Sequence, residues 1–110
     1  MNIKVVKFGG SSLADANQIK KAADIIRSDE RRRYVVPSAP GKRFSDDIKI
    51  TDMLYKCNAL AQENRNINET FSAIAHRYNN IIEDLGIDLS LECELETIRK
   101  NITEKAGSEY

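Results

Sequence analysis

The sequence predicts an α/β fold with two parallel strands and about four helices. Apolar runs rich in β-branched residues at about 2–8 and 34–36 are typical of strands, and the segment between them has the apolar spacing of a helix. A strand–helix–strand order favours a right-handed crossover and therefore a parallel pair. Helical spacing then dominates residues 51–105. Because parallel sheets normally have more strands and are covered on both faces, we expect residues 1–110 to be the opening portion of a larger α/β domain.

The first helix is expected to begin after Asp15, a candidate capping residue with Gln18 three positions later. Its buried stripe is predicted to consist of Ile19, Ala22, Ala23 and Ile26. The charged run at 28–33 ends this helix and indicates a solvated helix end. Pro37 should lie near the end of the second strand, because proline cannot donate to a strand ladder.

Three helices are expected after a loop over residues 37–50. The first begins near Thr51, the second begins after a cap at Asn66 and stops at Gly86, and the third begins near Ser90. Their buried faces are predicted to contain Met53, Leu54, Cys57, Leu60 and Ala61, then Ile67, Phe71, Ile74, Ala75, Tyr78, Ile81, Ile82 and Leu85, and finally Leu91, Leu95, Ile98 and Ile102.

The composition argues against several classes of protein. Lys plus Arg and Asp plus Glu each total 17, and this balance argues against a dedicated nucleic-acid binder. No apolar run has the length of a membrane span, and we expect no signal peptide. Cys57 and Cys93 have no CxxC spacing, so we expect no structural metal site. We expect both cysteines to be small core residues. Two free thiols also favour a reducing, cytoplasmic location.

The most informative segment follows the first strand and reads Lys7, Phe8, Gly9, Gly10, Ser11 and Ser12. The strand places a lysine at the carboxyl edge of the sheet, the glycines allow backbone N–H groups to approach an anion, and the hydroxyls add donors. A tight turn between strand and helix is the alternative explanation. Since GxGxxG and P-loop patterns are absent, any nucleotide binding would depend on this segment.

Other polar residues are expected to have lesser roles. Lys42 and Arg43 are candidates to attract anions across the loop, whereas Asp46 and Asp47 are more simply explained as solvated acids than as metal ligands. His76 is expected to be a boundary residue of its helix with no catalytic role.

The segment 7–12 resembles the signature of aspartate kinases, ATP-dependent enzymes that phosphorylate the side-chain carboxylate of aspartate. Residues 35–43 resemble the second strand and substrate loop of that family, and residues 50–55 resemble the start of its next helix. The likeness is close over the first half of the chain and looser beyond it. It implies the N-terminal part of the amino-acid-kinase (carbamate-kinase-like) three-layer αβα fold.

The resemblance also implies roles for individual residues. The ATP site would contain Lys7, Phe8, Gly9, Gly10 and Ser11. Lys7 would contact the ATP phosphates and stabilise the transferred phosphoryl group, while Mg²⁺ arrives with the nucleotide and no protein-bound metal is expected. Thr51 would bind the aspartate substrate, and Ser38 lies in the loop that lines the same pocket. For Thr51, the alternative from the residues themselves is a plain helix N-cap.

The activity implied is the conversion of aspartate to aspartyl phosphate, the first step toward lysine, threonine and methionine. Aspartate kinases run to several hundred residues and are expected to be homo-oligomers, with regulatory domains after the kinase domain. Residues 1–110 are therefore expected to be an N-terminal fragment of the catalytic domain, inactive alone. Two alternatives stay open: another kinase of this fold that acts on acetylglutamate or glutamate, and a non-catalytic helical oligomerisation module.

Overall fold

A computed structural model describes residues 2–106, and its helices and strands follow the predicted order. The described residues form two strands, a short 3-10 helix and four α-helices. These are β1 (Lys4–Phe8), the 3-10 helix (Gly10–Leu13), α1 (Ala16–Arg27), β2 (Arg32–Pro37), α2 (Ile50–Gln62), α3 (Asn68–Leu85) and α4 (Glu92–Glu104). The predicted α/β fold with two strands and four helices is confirmed.

The chain divides into two compact units, the first ending at Thr51 and the second beginning at Asp52. The first unit holds both strands, the 3-10 helix, α1 and the long loop before α2. The second unit holds the remainder of α2 together with α3 and α4. The division falls inside the first turn of α2, because that helix begins at Ile50.

The two strands of the first unit pair in parallel, as the crossover argument predicts. Lys7 lies opposite Val36 and Phe8 lies opposite Pro37, so proline closes the ladder at its carboxyl end. The sheet leaves large apolar side chains in solvent, with Val5 at 67% exposure. Tyr34, Val35 and Val36 are exposed as well.

The first helix has the cap that its sequence predicts. The Asp15 carboxylate accepts a hydrogen bond from the backbone N–H of Gln18 at 2.9 Å. Ala16 and Ala22 are buried, whereas the predicted stripe positions Ile19, Ala23 and Ile26 are only half-buried. The helix ends at Arg27, and the charged run after it is solvated except for half-buried Asp29 and Arg32.

An ion-pair network joins the beginnings of the two strands. The Asp29 carboxylate accepts from Lys4 Nζ at 3.0 Å and from Arg31 Nη2 at 2.9 Å. The Lys4 backbone N–H donates to the Arg31 carbonyl at 2.6 Å. The Arg31 guanidinium, with help from the Arg31 backbone N–H and Lys4, holds the pKa of Asp29 well below its usual range. The network therefore holds the two strand starts together.

The buried residues of the second unit mostly come from the predicted stripes: Met53, Cys57, Ile67, Phe71, Ile74, Ile81 and Leu95. Cys57 is fully buried, but the expectation of a core role for Cys93 is wrong, because that residue is exposed. Ile98 is also exposed, and Arg77 is buried although its charge favours water. No helix of the described residues is long and apolar enough to cross a membrane.

The ends of the helices in the second unit agree with the predicted caps to within two residues. Gly86 adopts the left-handed conformation (φ 66°) that stops α3, as predicted. Helix α3 begins at Asn68, and the Asn66 side chain accepts from the Asn68 backbone N–H at 2.8 Å. Before α4, the Ser90 hydroxyl accepts from the Glu92 backbone N–H at 3.3 Å.

Candidate functional site

Two loops of the first unit meet at a pair of glycines. The Gly41 backbone N–H donates to the Gly10 carbonyl oxygen at 2.8 Å. A Cβ atom on Gly41 would lie 2.6 Å from the Gly10 carbonyl carbon and 2.9 Å from the Ser11 nitrogen, so any side chain would collide with backbone. Glycine at position 41 therefore allows the loop after β2 to contact the turn after β1.

A cleft of about 470 Å³ opens where these loops meet. Its lining residues come from three separate stretches of the chain, the 3-10 turn, the loop after β2 and the start of α2. They are Gly10, Ser11, Ser38, Ala39, Pro40, Gly41, Lys42, Lys49 and Thr51. Four predicted site residues thus share one cleft: Gly10, Ser11, Ser38 and Thr51.

The hydroxyl groups of Ser38 and Thr51 are available to a ligand. Ser38 directly follows β2, Thr51 lies in the first turn of α2, and both residues are exposed. Among residues 2–106, neither hydroxyl makes a hydrogen bond. The alternative reading of Thr51 as a plain N-cap is wrong, because the helix already begins at Ile50. The Ile50 backbone N–H donates to the Pro40 carbonyl at 3.1 Å, which holds this turn against the loop.

The other three predicted site residues lie outside the lining of the cleft. Lys7 is exposed near the carboxyl end of β1, and Gly9 precedes the 3-10 helix with an extended backbone. Phe8 is buried, so its side chain belongs to the core of the first unit. Of these three residues, only Lys7 presents a charged group to solvent for a phosphate to contact.

A salt bridge shapes the loop between the cleft-lining residues 42 and 49. Arg43 Nε donates to Asp47 Oδ2 at 2.6 Å, and Arg43 Nη2 donates to Asp47 Oδ1 at 2.9 Å. The Arg43 backbone N–H also donates to Asp47 Oδ2 at 2.9 Å. These hydrogen bonds hold the pKa of Asp47 well below its usual range and raise the pKa of Arg43. The Arg43 guanidinium, predicted to attract anions, is therefore already engaged by Asp47.

The electrostatic character of the cleft comes from two lysines. Lys42 and Lys49 are the charged residues in its described lining, and within residues 2–106 neither forms an ion pair. Lys42 was a predicted anion-attracting residue, but Lys49 was missed. The sequence around Lys49 holds no local motif, and only the return of the chain to Pro40 brings it to the cleft.

The remaining titratable candidates do not assemble a further site. His76 is exposed rather than at a boundary of the apolar face. Within the part of the chain that the structure describes, no three His, Cys, Asp or Glu side chains are placed to hold a metal ion.

The chain belongs to the amino acid kinase family, whose sequence model matches residues 2–104. Within that family it is similar to aspartate kinases. It is 40% identical over 100 residues to Aspartokinase 3 of Bacillus subtilis (strain 168), covering 91% of this chain and 21% of that protein. It is 32% identical over 103 residues to Aspartokinase 1, chloroplastic, of Arabidopsis thaliana, covering 89% of this chain and 18% of that protein.

Solved structures agree with the sequence relatives. The aspartate kinase of Clostridium acetobutylicum superposes with a TM-score of 0.91 at 49% identity, over 94% of this chain and 24% of that one. E. coli aspartokinase III in complex with aspartate and ADP gives a TM-score of 0.67 at 34% identity, over 96% of this chain and 22% of that one. The chain thus spans about a fifth of the length of the curated relatives it matches. The predicted family resemblance and fold are confirmed.

Proposed function

We propose that this chain is the N-terminal part of an aspartate kinase, which transfers the γ-phosphoryl group of ATP to the side-chain carboxylate of aspartate. The observation that carries the proposal is the cleft that joins the Gly10–Ser11 turn to the hydroxyls of Ser38 and Thr51. The names of the relatives support the reaction, and the aspartate and ADP held by the E. coli enzyme support both ligands.

The chemistry follows from the groups that line the cleft. Phosphoryl transfer depends mainly on positioning the two reactants and stabilising charge on the transferred group. Gly10 and Ser11 would offer backbone N–H groups and a hydroxyl to phosphate oxygens, and Lys7 would add positive charge from the end of β1. The hydroxyls of Ser38 and Thr51 would donate to a carboxylate of the acceptor. Mg²⁺ would enter with ATP and share the phosphate charge.

We also propose that residues 1–110 form the opening part of the kinase catalytic domain. Support comes from the exposed apolar side chains of the sheet, such as Val5 and Val36. Parallel sheets are normally covered on both faces, and further strands and helices of a longer polypeptide would bury these side chains. A homo-oligomeric full-length enzyme and a cytoplasmic location stay predictions.

The reaction is tested on the full-length polypeptide that contains this chain, with ADP release followed in a coupled assay. We expect turnover with aspartate and MgATP and none with acetylglutamate. Lys7→Ala should lower kcat by about 10²- to 10³-fold, as expected when one preorganised charge on the transferred group is lost. Lys21→Ala is the matched control, because Lys21 is exposed on α1 and lies outside the cleft lining.

Three results would each contradict a different one of these assignments. Phosphorylation of acetylglutamate in place of aspartate would overturn the proposed substrate. Full activity of Lys7→Ala would remove the catalytic role of Lys7 and leave the reaction in place. The 110-residue chain alone is expected to show no turnover, and activity in it would overturn its assignment as a part of the catalytic domain.

A further inference from the structure

We infer that the peptide group between Pro40 and Gly41 is a positioning element that sets the distance between the phosphate-binding turn and the acceptor-binding hydroxyls. This role rests on the proposed function and belongs to a backbone group rather than to a side chain. Its basis is a pair of hydrogen bonds made by this one peptide group. The Gly41 N–H donates to the Gly10 carbonyl at 2.8 Å. The Pro40 carbonyl accepts from the Ile50 N–H at 3.1 Å.

The two hydrogen bonds of this peptide point in opposite directions. The peptide is trans and planar, so its C=O and N–H groups project from opposite edges at a fixed separation. The N–H edge holds the turn in which Ser11 directly follows Gly10. The C=O edge holds the first turn of α2, in which Thr51 directly follows Ile50. A rigid unit therefore bridges two of the stretches that line the cleft.

The residues on either side of the peptide suit it to this role. Pro40 has a fixed φ angle, which restricts how the chain can enter the peptide. Gly41 has no Cβ, and a Cβ there would lie 2.6 Å from the Gly10 carbonyl carbon. Pro40, Gly41 and Ile50 are all buried, so the two hydrogen bonds lie largely out of water, where they are stronger.

The spacing that the peptide sets governs the transfer step. An oxygen of the acceptor carboxylate bonds to the γ-phosphorus of ATP, while the bond from that phosphorus to the β–γ bridging oxygen breaks and its electron pair leaves with ADP. The attacking and leaving oxygens lie roughly in line, and a misplacement of about 1 Å can lower the rate about 10²-fold. A side chain at residue 41 would push the Gly10 turn away and leave the bond between Ile50 and Pro40 in place. Each reactant would keep its own binding groups, but their alignment would be lost.

The test compares the steady-state kinetics of wild type and Gly41→Ala in the full-length enzyme. Moving the new Cβ from 2.6 Å to an ordinary contact of at least 3.4 Å requires the turn and the loop to separate by about 0.8 Å. We expect kcat to fall about 10- to 100-fold. The KM for aspartate and the KM for ATP should each change less than about threefold. The matched control is Ala22→Gly, which destabilises α1 of the same unit outside the cleft lining and should keep the wild-type kcat.

An amide-to-ester replacement separates the hydrogen bond from the steric effect. Introduced by semisynthesis of the full-length enzyme, an ester between residues 40 and 41 removes the N–H donor and adds no side chain. It should lower kcat about 2- to 10-fold, the range for one lost neutral hydrogen bond, with both KM values nearly unchanged. If Gly41→Ala does not fold, the ester variant decides by the same criteria.

A binding measurement reports the spacing without turnover. The probe is adenosine joined to aspartate through a chain of phosphates, which engages both sets of groups at once only if their separation fits. Gly41→Ala should weaken this probe about tenfold or more, and ADP or aspartate alone by less than about threefold.

Three outcomes would overturn the inference. The first is an unchanged kcat in both the alanine and the ester variants. The second is an equal loss of kcat in Gly41→Ala and Ala22→Gly, which would indicate a general loss of stability. The third is a higher KM at constant kcat, which would assign the peptide to substrate binding. A wild-type enzyme inactive on aspartate would overturn the proposed function itself, which is a different result.

Discussion

Replacing Gly41 with alanine tests the loop contact that forms the cleft. The added Cβ would lie 2.6 Å from the Gly10 carbonyl carbon and 2.9 Å from both the Gly10 oxygen and the Ser11 nitrogen. All three atoms are backbone, so no flexible side chain can move aside. The φ angle of Gly41 is not in the left-handed region, and the expected cost is therefore steric rather than conformational.

The magnitude follows from the strain of overpacking and the loss of one hydrogen bond. Forcing an extra carbon into a closely packed site costs about 1–3 kcal/mol. Separating the loops also weakens the hydrogen bond from the Gly41 N–H to the Gly10 carbonyl, 2.8 Å long, which is worth about 0.5–1.5 kcal/mol. Gly41→Ala should therefore destabilise the loop contact by about 2–4 kcal/mol.

Two neighbouring glycines provide a graded control series. A Cβ on Gly10 would lie 3.1 Å from Gly41 Cα, a smaller overlap than the 2.6 Å contact of a Cβ on Gly41, so Gly10→Ala should cost less than Gly41→Ala. A Cβ on Gly9 would meet nothing within 4 Å, and Gly9→Ala should leave stability nearly unchanged. The order of the three variants follows from these distances alone.

Native-state hydrogen exchange is the direct assay. A loss of 2–4 kcal/mol corresponds to exchange about 30- to 700-fold faster at the amide of residue 41, with faster exchange also at Ile50, whose N–H is bonded to Pro40. The amide of Ile19, bonded to Asp15 within α1, reports on the rest of the unit and should change less. If Gly41→Ala exchanges at residue 41 as slowly as Gly9→Ala, the steric argument is refuted.

Two further predictions concern charge and thiol exposure. Asp47→Asn should lower stability at neutral pH by about 1 kcal/mol, because the partner Arg43 is partly exposed. Since the folded pKa of Asp47 lies below its unfolded value, this stabilisation is present above about pH 4 and lost as the pH falls further, so acid denaturation curves of wild type and variant should converge below that pH. In the native chain Cys93 should react with a thiol reagent and Cys57 should not, because Cys57 is fully buried and burial raises its pKa. Labelling that is lost in Cys57→Ala rather than in Cys93→Ala would contradict this.

The sequence predicted a structural feature correctly when the groups that produce the feature lie within a few residues of one another. The Asp15 cap and the Gly86 stop were predicted because both depend on backbone groups within a few residues. The prediction for Cys93 failed because helical spacing shows which residues share a face, but not how far the covering elements extend. Arg77 is the reverse case: its charge predicts exposure, yet it is buried.

The residues of the candidate site divide in the same way, into those that a local motif predicted and one that only the fold brings to the cleft. Gly10, Ser11, Ser38 and Thr51 were predicted from motifs that resemble aspartate kinases, and the structure brings all four to one cleft. Lys49 was missed because it belongs to no motif, and its position depends on the closure of the loop at Pro40.

The sequence by itself determined the order of strands and helices, the caps and the family, because periodicity, capping residues and short motifs are written in neighbouring positions. Only the tertiary structure decided that Gly41 contacts Gly10, that Arg43 is engaged by Asp47, and that Lys49 shares a cleft with Ser38. Gly10 and Gly41 are far apart in the chain, and their contact depends on which backbone groups can approach closely enough to bond. Arg43 and Asp47 are only four positions apart, but they lie in a loop whose sequence has no periodicity that would predict their pairing. Glycine allows such an approach because it has no Cβ, but the neighbouring residues in the sequence do not show which backbone group the glycine will contact.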